Sequence, residues 1–429
     1  MPSRGDLLFR GDLILPGRVL AGGAVRVRDG RIAAAGPAEE VAAGRRDRSR
    51  GDEATGLDGI STIETDDGGY LAPGYVDLHV HGGAGADFMD ATPEAFETVL
   101  AAHARHGTTS LLPTTTVARH EQLLAVLELC RQFYDRDAGR SPAPPRGARV
   151  LGAHFYGPYF GYEARGCHPG GPVRSPEPRE YEQYLAYADW MATATVAPEL
   201  PGAEGFVRAC RQRGVRANAG HSHATFGQMA DAVSWGVRHV DHLFCAMSDK
   251  AKLRQTQPYP MQGGVLEATL YFDELTTEVI ADGKHLAAEL LLLALKIKGP
   301  DRLALATDCS RALDQPEGRY VFGPLDGGEP FVNHDGVGVM PDGRALASSV
   351  RGMDHMVRTF VELTGRPVWE AVRMATLTPA RVAGWDGELG SLEAGKRADL
   401  LVLDRDLYVR RVFVAGREIV GNGDDASRK

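Results

Sequence analysis

Cysteine is scarce: five residues among 429 (Cys130, Cys167, Cys210, Cys245 and Cys309), widely spaced and without a C-x-x-C pair. That excludes a disulfide framework and a cysteine-based zinc site, and it fits a reducing compartment. No stretch reaches the roughly 18 uninterrupted apolar residues expected of a membrane span. The opening MPSRGDLLFRGDLILPG interrupts its apolar residues with Arg and Asp. Neither a signal peptide nor a membrane helix is expected, which points to the cytoplasm. Positive charge is short as well. Lys and Arg number 48 against 57 Asp and Glu, a formal net charge of -9, which argues against nucleic acid or an anionic membrane as partner. A local pocket for one phosphate stays compatible with that balance. Fixed-period repeats and low-complexity tracts are absent, and no pair of carboxylates stands out as in a glycosidase.

What is present reads as an α/β protein with strand-rich ends. LLFRGDLILPG and VRVRDGRIAAAG near the start read as short strands, with a tight hairpin at Asp29-Gly30. DLLVLDRDLYVRRVFVAGREIV, residues 399–420, answers in kind, with a turn around Ala415-Gly416. The two ends are therefore expected to pair into one small β domain, 1–70 with 390–429. Residues 39–56 include a charged, Gly-rich run without periodicity, which reads as a solvated surface loop. From 71 to 389 short apolar runs alternate with amphipathic helices, the pattern of βα units. YVDLHVH is followed by a helix with Thr92 as N-cap, Pro93 in its first turn and Gly107 at its end. TSLLPTT, VLGAHFY, ATATVAPE, RANAGHS, HVDHLF, TEVIADG and RLALATD complete the set of about eight strands a (β/α)8 barrel needs.

Polar residues gather where these strands end, which in such a barrel is the catalytic face. His79 and His81 close the first strand as H-V-H, and strand residues two apart share a face. His221 in NAGHSHAT and His242 in VDHLFCAM end two more strands. Neutral imidazoles ligate zinc and other first-row cations, and four converging ones are hard to explain as packing. His223 and His239 sit beside better candidates and read as supporting residues. Asp308, in LALATDCS, can be a helix cap. At the mouth of a metal-bearing barrel it can also carry a proton from water to a leaving amine.

Taken in order, LAPGYVDLHVHGGAGADFMD, GTTSLLPTT, GHSHATFGQMADAVSWGV, DHLFCAM, VIADGKHL, LATD, VRMATLTPARVAG and LGSLEAGKRADLLVLD resemble the N-acetylglucosamine-6-phosphate deacetylases of the amidohydrolase superfamily. The resemblance covers nearly the whole chain. It implies a TIM-like barrel with a small β-sandwich from the two termini, and hydrolysis of an acetamide on an amino sugar 6-phosphate. It also implies one or two divalent ions, zinc first with iron, manganese or cobalt as alternatives, and a homodimer. His221 and His242 match the family's central metal ligands, while His79 and His81 match the pair used where a second metal is present. Asp308 matches the general acid/base, here also a candidate ligand. His168, in RGCHPGG, matches a histidine that polarises the acetyl carbonyl, and His285, in ADGKH, a substrate-contacting one.

Two departures shape the expectations. The family's H-L-E-G-P reads His154-Phe155-Tyr156-Gly157-Pro158, so Tyr156 stands where a metal-binding Glu is usual. A phenol with a pKa near ~10 is a poor substitute for a carboxylate. The expected resolution is a metal drawn toward the first strand, on His79, His81, His221 and Asp308, with Tyr156 among the substrate-facing residues. Glu199, in APELPG, is the alternative ligand. The family's H-L-x-N-A-M reads His242-Leu243-Phe244-Cys245-Ala246-Met247, so Cys245 replaces an amide, with Ala246 beside it. Arg254, flanked by Lys250 and Lys252, lies near the position expected for a phosphate contact. Two other readings fit these departures: an amidohydrolase acting on a different N-acyl substrate, and a non-catalytic sugar-binding barrel.

Overall fold

The computed structural model describes residues 6–42, 60–65, 68–137, 146–256, 259–343 and 345–421. The charged run within residues 39–56 lies outside them from residue 43 on. The strand-rich ends do meet. Tyr70–Pro73 is flanked by Leu7–Leu15 on one side and Leu400–Leu403 on the other, in an eight-stranded sheet that continues to Arg417–Val420 at one edge and Arg31–Pro37 at the other. Asp29 and Gly30, with φ of 50° and 77°, make the first hairpin turn, and Ala415 and Gly416, at 48° and 70°, make the last. Both pairs adopt the left-handed conformation that a two-residue hairpin of matching twist requires.

Alternation along these strands feeds two cores at once. Leu400 and Val402 turn inward with Phe9, Leu13, Leu71 and Phe413, and the Phe9 and Phe413 rings meet edge to face at 4.8 Å. Leu401 and Leu403 turn the other way, onto Met353, Met356 and Phe360 of a barrel helix. The β-sandwich is thereby welded to the barrel by one strand's two faces.

The barrel strands run parallel. Tyr75–Val80, Thr108–Pro113 and Arg149–Val150 pair in one set. Ala153–Phe155, Met191–Val196, Arg216–Ala219, His239–Val240, Thr276–Val279 and Leu303–Leu305 form the other. Parallel bridges Thr114↔His154 and Val80↔Cys309 join the two sets into a closed TIM-like barrel. The third strand is thus split in two by Leu151 and Gly152, a break the run VLGAHFY does not announce. A second difference is larger. Gly318–Phe322, Glu329–His334, Val337–Val339 and Leu346–Ser349 form an antiparallel four-stranded insertion after the eighth strand. No helix among the described residues is long and apolar enough to cross a membrane.

Helix Pro93–Arg105 follows its sequence cues: the Thr92 hydroxyl accepts from Ala95 N at 3.1 Å, and Gly107 beyond its end has φ 83°. Its C-terminal His106 is clamped between two carboxylates, Asp354 at Nδ1 and Asp314 at Nε2, each 2.9 Å away. Burial works against a charged ring here, but Asp354 and Asp314 outweigh it and raise the His106 pKa from 6.5 to about 9. A pKa raised on folding gives a contribution to stability that is complete below the unfolded value and vanishes as pH climbs through the folded one. His106→Gln is therefore expected to lower Tm at pH 6, and the gap to wild type should close as pH passes about 9. A gap that stays constant from pH 6 to 10 in thermal denaturation would contradict the charged clamp.

Candidate active site

Where the barrel strands end, the chain departs from ordinary backbone geometry. His221, His242, Phe244, Ala246, Asp308 and Ser348 all have positive φ, between 24° and 77°. Non-glycine residues in that region cost about 1–3 kcal/mol each and persist only where surrounding structure holds them. Five of these six, all but Phe244, line one cavity of ≈ 390 Å³.

Asp308 lines this cavity, and His79 is buried beside it. Asp308 N donates to His79 O at 2.9 Å, and its Oδ1 stands 3.3 Å from His81 Nε2 and 3.6 Å from His79 Nε2. The far side of His79 is held: its Nδ1 bonds Glu278 Oε1 at 2.8 Å. Burial opposes the charge on Glu278, but His239 and His79 hold its carboxyl well below the usual range. An ionised Glu278 accepts the Nδ1 proton and turns Nε2 toward Asp308, where a bound cation would take the place of the ring's second proton. That Nε2 is buried and has no hydrogen-bond partner among the described residues. Burial also works against charge on His79, yet Asp308 and Glu278 raise its pKa to about 9. The gap between ring and carboxylate calls for a cation.

The donor set fits a metal as that cation. A tetrahedral ion holding ligands at about 2.1 Å separates them by about 3.4 Å. The two Nε2–Oδ1 separations fall on either side of that value, and His79, His81 and Asp308 together can hold one ion. The Glu278–His79 pair is the carboxylate–histidine support that metal-binding imidazoles usually have. A second buried group, His239, Asp241 and Glu278, lies behind the first. Its Asp241 is occupied by Thr195 Oγ1 and Asn218 Nδ2, at 2.7 and 2.9 Å.

Tyr156 packs edge to face on His79, ring centroids 4.5 Å apart. Its phenol oxygen is 2.6 Å from His242 Nε2. Burial, with Asp241 and Asp308 adding to it, pushes the phenol pKa well above 10. Whichever group donates, this bond occupies the nitrogen through which His242 would bind a metal. His221 is stacked on Phe160 at 4.3 Å and gives its Nδ1 proton to Ala164 O at 2.7 Å, leaving Nε2 free. His168 Nδ1 accepts from Val117 N at 3.4 Å, which puts the ring proton on Nε2. Burial, then His221 and His81, keep this imidazole neutral, well below 6.5. His285 Nδ1 bonds Asp282 Oδ2 at 2.7 Å.

Of the residues singled out in the sequence, His81, Tyr156, His168, His221, His242, Cys245, Ala246, His285 and Asp308 all border this cavity, and His79 packs against the lining residue Tyr156. Arg254 does not. It is exposed on the short turn after Lys250–Leu253, and Lys252 is the cation that reaches the lining. Glu199 is also elsewhere, holding Ser222 Oγ and His223 N at 2.6 Å each. His223 borders the cavity, and His239 bonds Thr276 Oγ1. Ser348 was missed: it projects from the insertion and donates to Asp308 Oδ1 at 3.4 Å. Glu278 was missed too, although a Glu inside a buried strand calls for a partner.

Comparison with known proteins shows the family. Residues 70–419 match the amidohydrolase family model. The N-acetylgalactosamine-6-phosphate deacetylase of Escherichia coli is 36% identical over 348 residues, 81% of this chain and 87% of that protein. The human N-acetylglucosamine-6-phosphate deacetylase is 33% identical over 372 residues, covering 84% and 85%. Among solved structures, an N-acetyl-D-glucosamine-6-phosphate deacetylase mutant from Mycobacterium smegmatis, in complex with N-acetyl-D-glucosamine-6-phosphate, superposes with a TM-score of 0.82 at 29% identity, over 97% of this chain and 100% of that one.

Proposed function

Because the chain belongs to the amidohydrolase family, we propose that it hydrolyses the acetamide of an N-acetylated amino sugar phosphate, with N-acetylglucosamine 6-phosphate as the leading substrate. The products are acetate and the amino sugar phosphate. The observation that carries the reading is the Asp308 carboxylate beside two inward-facing imidazoles, in a cavity bordered by His168 and His285. The barrel segment 71–389 carries this chemistry, in a cytoplasmic homodimer.

His79, His81 and Asp308 would hold the ion, zinc by its donor set with iron, manganese or cobalt as alternatives. When bound, a divalent cation supplies Lewis-acid polarisation of the acetyl carbonyl and acidifies water. The chain's own groups do the rest. Burial opposes the charge on Asp308, but His79 and His81 hold its carboxyl below the usual range. An ionised Asp308 takes the proton from the attacking water and returns it to the departing amine nitrogen. His168, its proton on Nε2, donates to the carbonyl oxygen as negative charge builds there. His285, oriented by Asp282, contacts the sugar, and Lys252 faces the phosphate.

Acetate release from N-acetylglucosamine 6-phosphate, its galactosamine epimer and both unphosphorylated sugars tests this reading. The Escherichia coli relative motivates the epimer arm. The phosphorylated sugars are expected to exceed the others in kcat/KM by about two orders of magnitude, the worth of a charge-assisted phosphate contact. Zinc-loaded protein that cleaves neither phosphorylated sugar, but does cleave another N-acyl compound, would replace the proposal with a different amidohydrolase activity.

A further inference from the structure

A second cavity, of ≈ 540 Å³, lies between the insertion and helix Met353–Thr364 and shares no lining residue with the first. Its acidic groups are engaged. Asp314 is bound by His106 and Arg105, and Asp354 by His106 and Arg358. Glu317 receives Asp335 N at 2.7 Å and faces His334. Arg358 itself lies over the Tyr408 ring, 4.2 Å from its centroid. Arg351 differs: its guanidinium has no ion-pair partner among the described residues and lies against Gly336, the left-handed turn of the insertion's middle hairpin. A Cβ there would come within 2.7 Å of Arg351 Nη2. The glycine leaves room for the guanidinium at the wall of the cavity.

This cavity is connected to the first. His355, on its wall, bonds Asp282 O at 3.1 Å. The Asp282 carboxylate in turn holds His285 Nδ1, and His285 borders the catalytic cavity. On the other side Arg351 N donates to Ser349 Oγ, and Ser349 N to Asp308 O. The segment from Ser348 to His355 thus spans both cavities.

We propose that the groove walled by Gln315, Arg351, His355, Arg358 and Tyr408 is a second ligand site, which takes a small phosphate- or carboxylate-bearing anion on Arg351 and is linked through His355 and Asp282 to His285. Guanidinium forks bind such groups with two parallel hydrogen bonds, and an unpaired one gives up no existing ion pair to do so. The neighbouring Arg358–Tyr408 stack offers a flat surface for the rest of the ligand. The link to His285 makes the site a means of adjusting the catalytic cavity by occupancy.

Inorganic phosphate is the probe, titrated calorimetrically into the full-length protein, Arg351→Ala and Lys252→Ala. Lys252→Ala removes the lysine facing the catalytic cavity, so binding that survives in it does not depend on that cation. Phosphate affinity is expected to persist in Lys252→Ala and to fall at least tenfold in Arg351→Ala. Equal affinity in wild type and Arg351→Ala overturns the site. Histidine-labelled Lys252→Ala protein, in which phosphate no longer finds the lysine of the catalytic cavity, reads the connection independently of turnover: phosphate should shift the His355 and His285 ring signals there and neither in Lys252→Ala/Arg351→Ala. A His285 signal that stays fixed while phosphate binds at Arg351 overturns the link.

Discussion

Asp308→Asn is expected to lower kcat/KM for acetate release by about three orders of magnitude, the range of a positioned acid/base group. The isosteric amide keeps an oxygen beside His81 and His79 but accepts no proton from water at neutral pH. The cavity around it is held by independent contacts, including the His221–Ala164 and His168–Val117 bonds. Its shape should therefore survive the change. Removing a carboxylate from between two imidazoles also removes an attractive pairing, so some loss of Tm accompanies the loss of turnover. The two effects separate on addition of substrate: KM should move little, because Asp308 acts on the transition state more than on sugar binding. A variant retaining a tenth of wild-type kcat/KM would assign the proton transfer to another group, with His285 next in line.

The second large effect concerns metal content and needs no turnover. Zinc-loaded, desalted protein is expected to keep about one ion per chain, and the double variant His79→Ala/His81→Ala close to none. His242→Ala should keep its ion, because Tyr156 already occupies Nε2 of that ring at 2.6 Å. Tyr156→Glu carries the argument further. A carboxylate in place of the phenol removes the hydroxyl that blocks His242 and puts an anionic oxygen beside His221 and His242. The stoichiometry should then rise toward two ions per chain, read by elemental analysis. Full zinc in the double variant would place the ion on His221 and His242 after all.

Much of the site was legible in the sequence because its pieces obey short rules. His79 and His81 share a face through strand alternation, and Asp308 ends an apolar strand, so their meeting follows once the barrel is assumed. Thr92, Gly107 and the Asp29-Gly30 turn are local features, and the structure repeats them. What escaped depends on distance along the chain. Glu278 meets His79 across 199 residues, and no spacing announces that pair. Ser348 reaches Asp308 only because the insertion folds back, pairing Val337 with Ser349 and Cys309 with Ser349. The stretch from Cys309 to Gly352 did carry a warning, since βα connections usually span about 2–6 residues. That Lys252 and not Arg254 borders the cavity was equally illegible, because position within a turn, not position in sequence, decides which side chain faces a cavity.

The sheet that joins the chain's two ends bears on biosynthesis. Tyr70–Pro73 needs Leu400–Leu403 as a neighbour on one flank, and Phe9 needs Phe413 against its ring. On the ribosome the early strands emerge long before those partners exist. They wait through translation of the entire barrel with one edge and one apolar face uncovered. Domains ordinarily fold as they emerge, and exposed strand edges are the sites where nascent chains stick to one another. Here the N-terminal strands cannot finish until Leu400–Leu403 and Phe413 have been made. Shortening the chain before Leu400 should therefore cost solubility out of proportion to the residues removed, while leaving every residue of the catalytic cavity in the sequence.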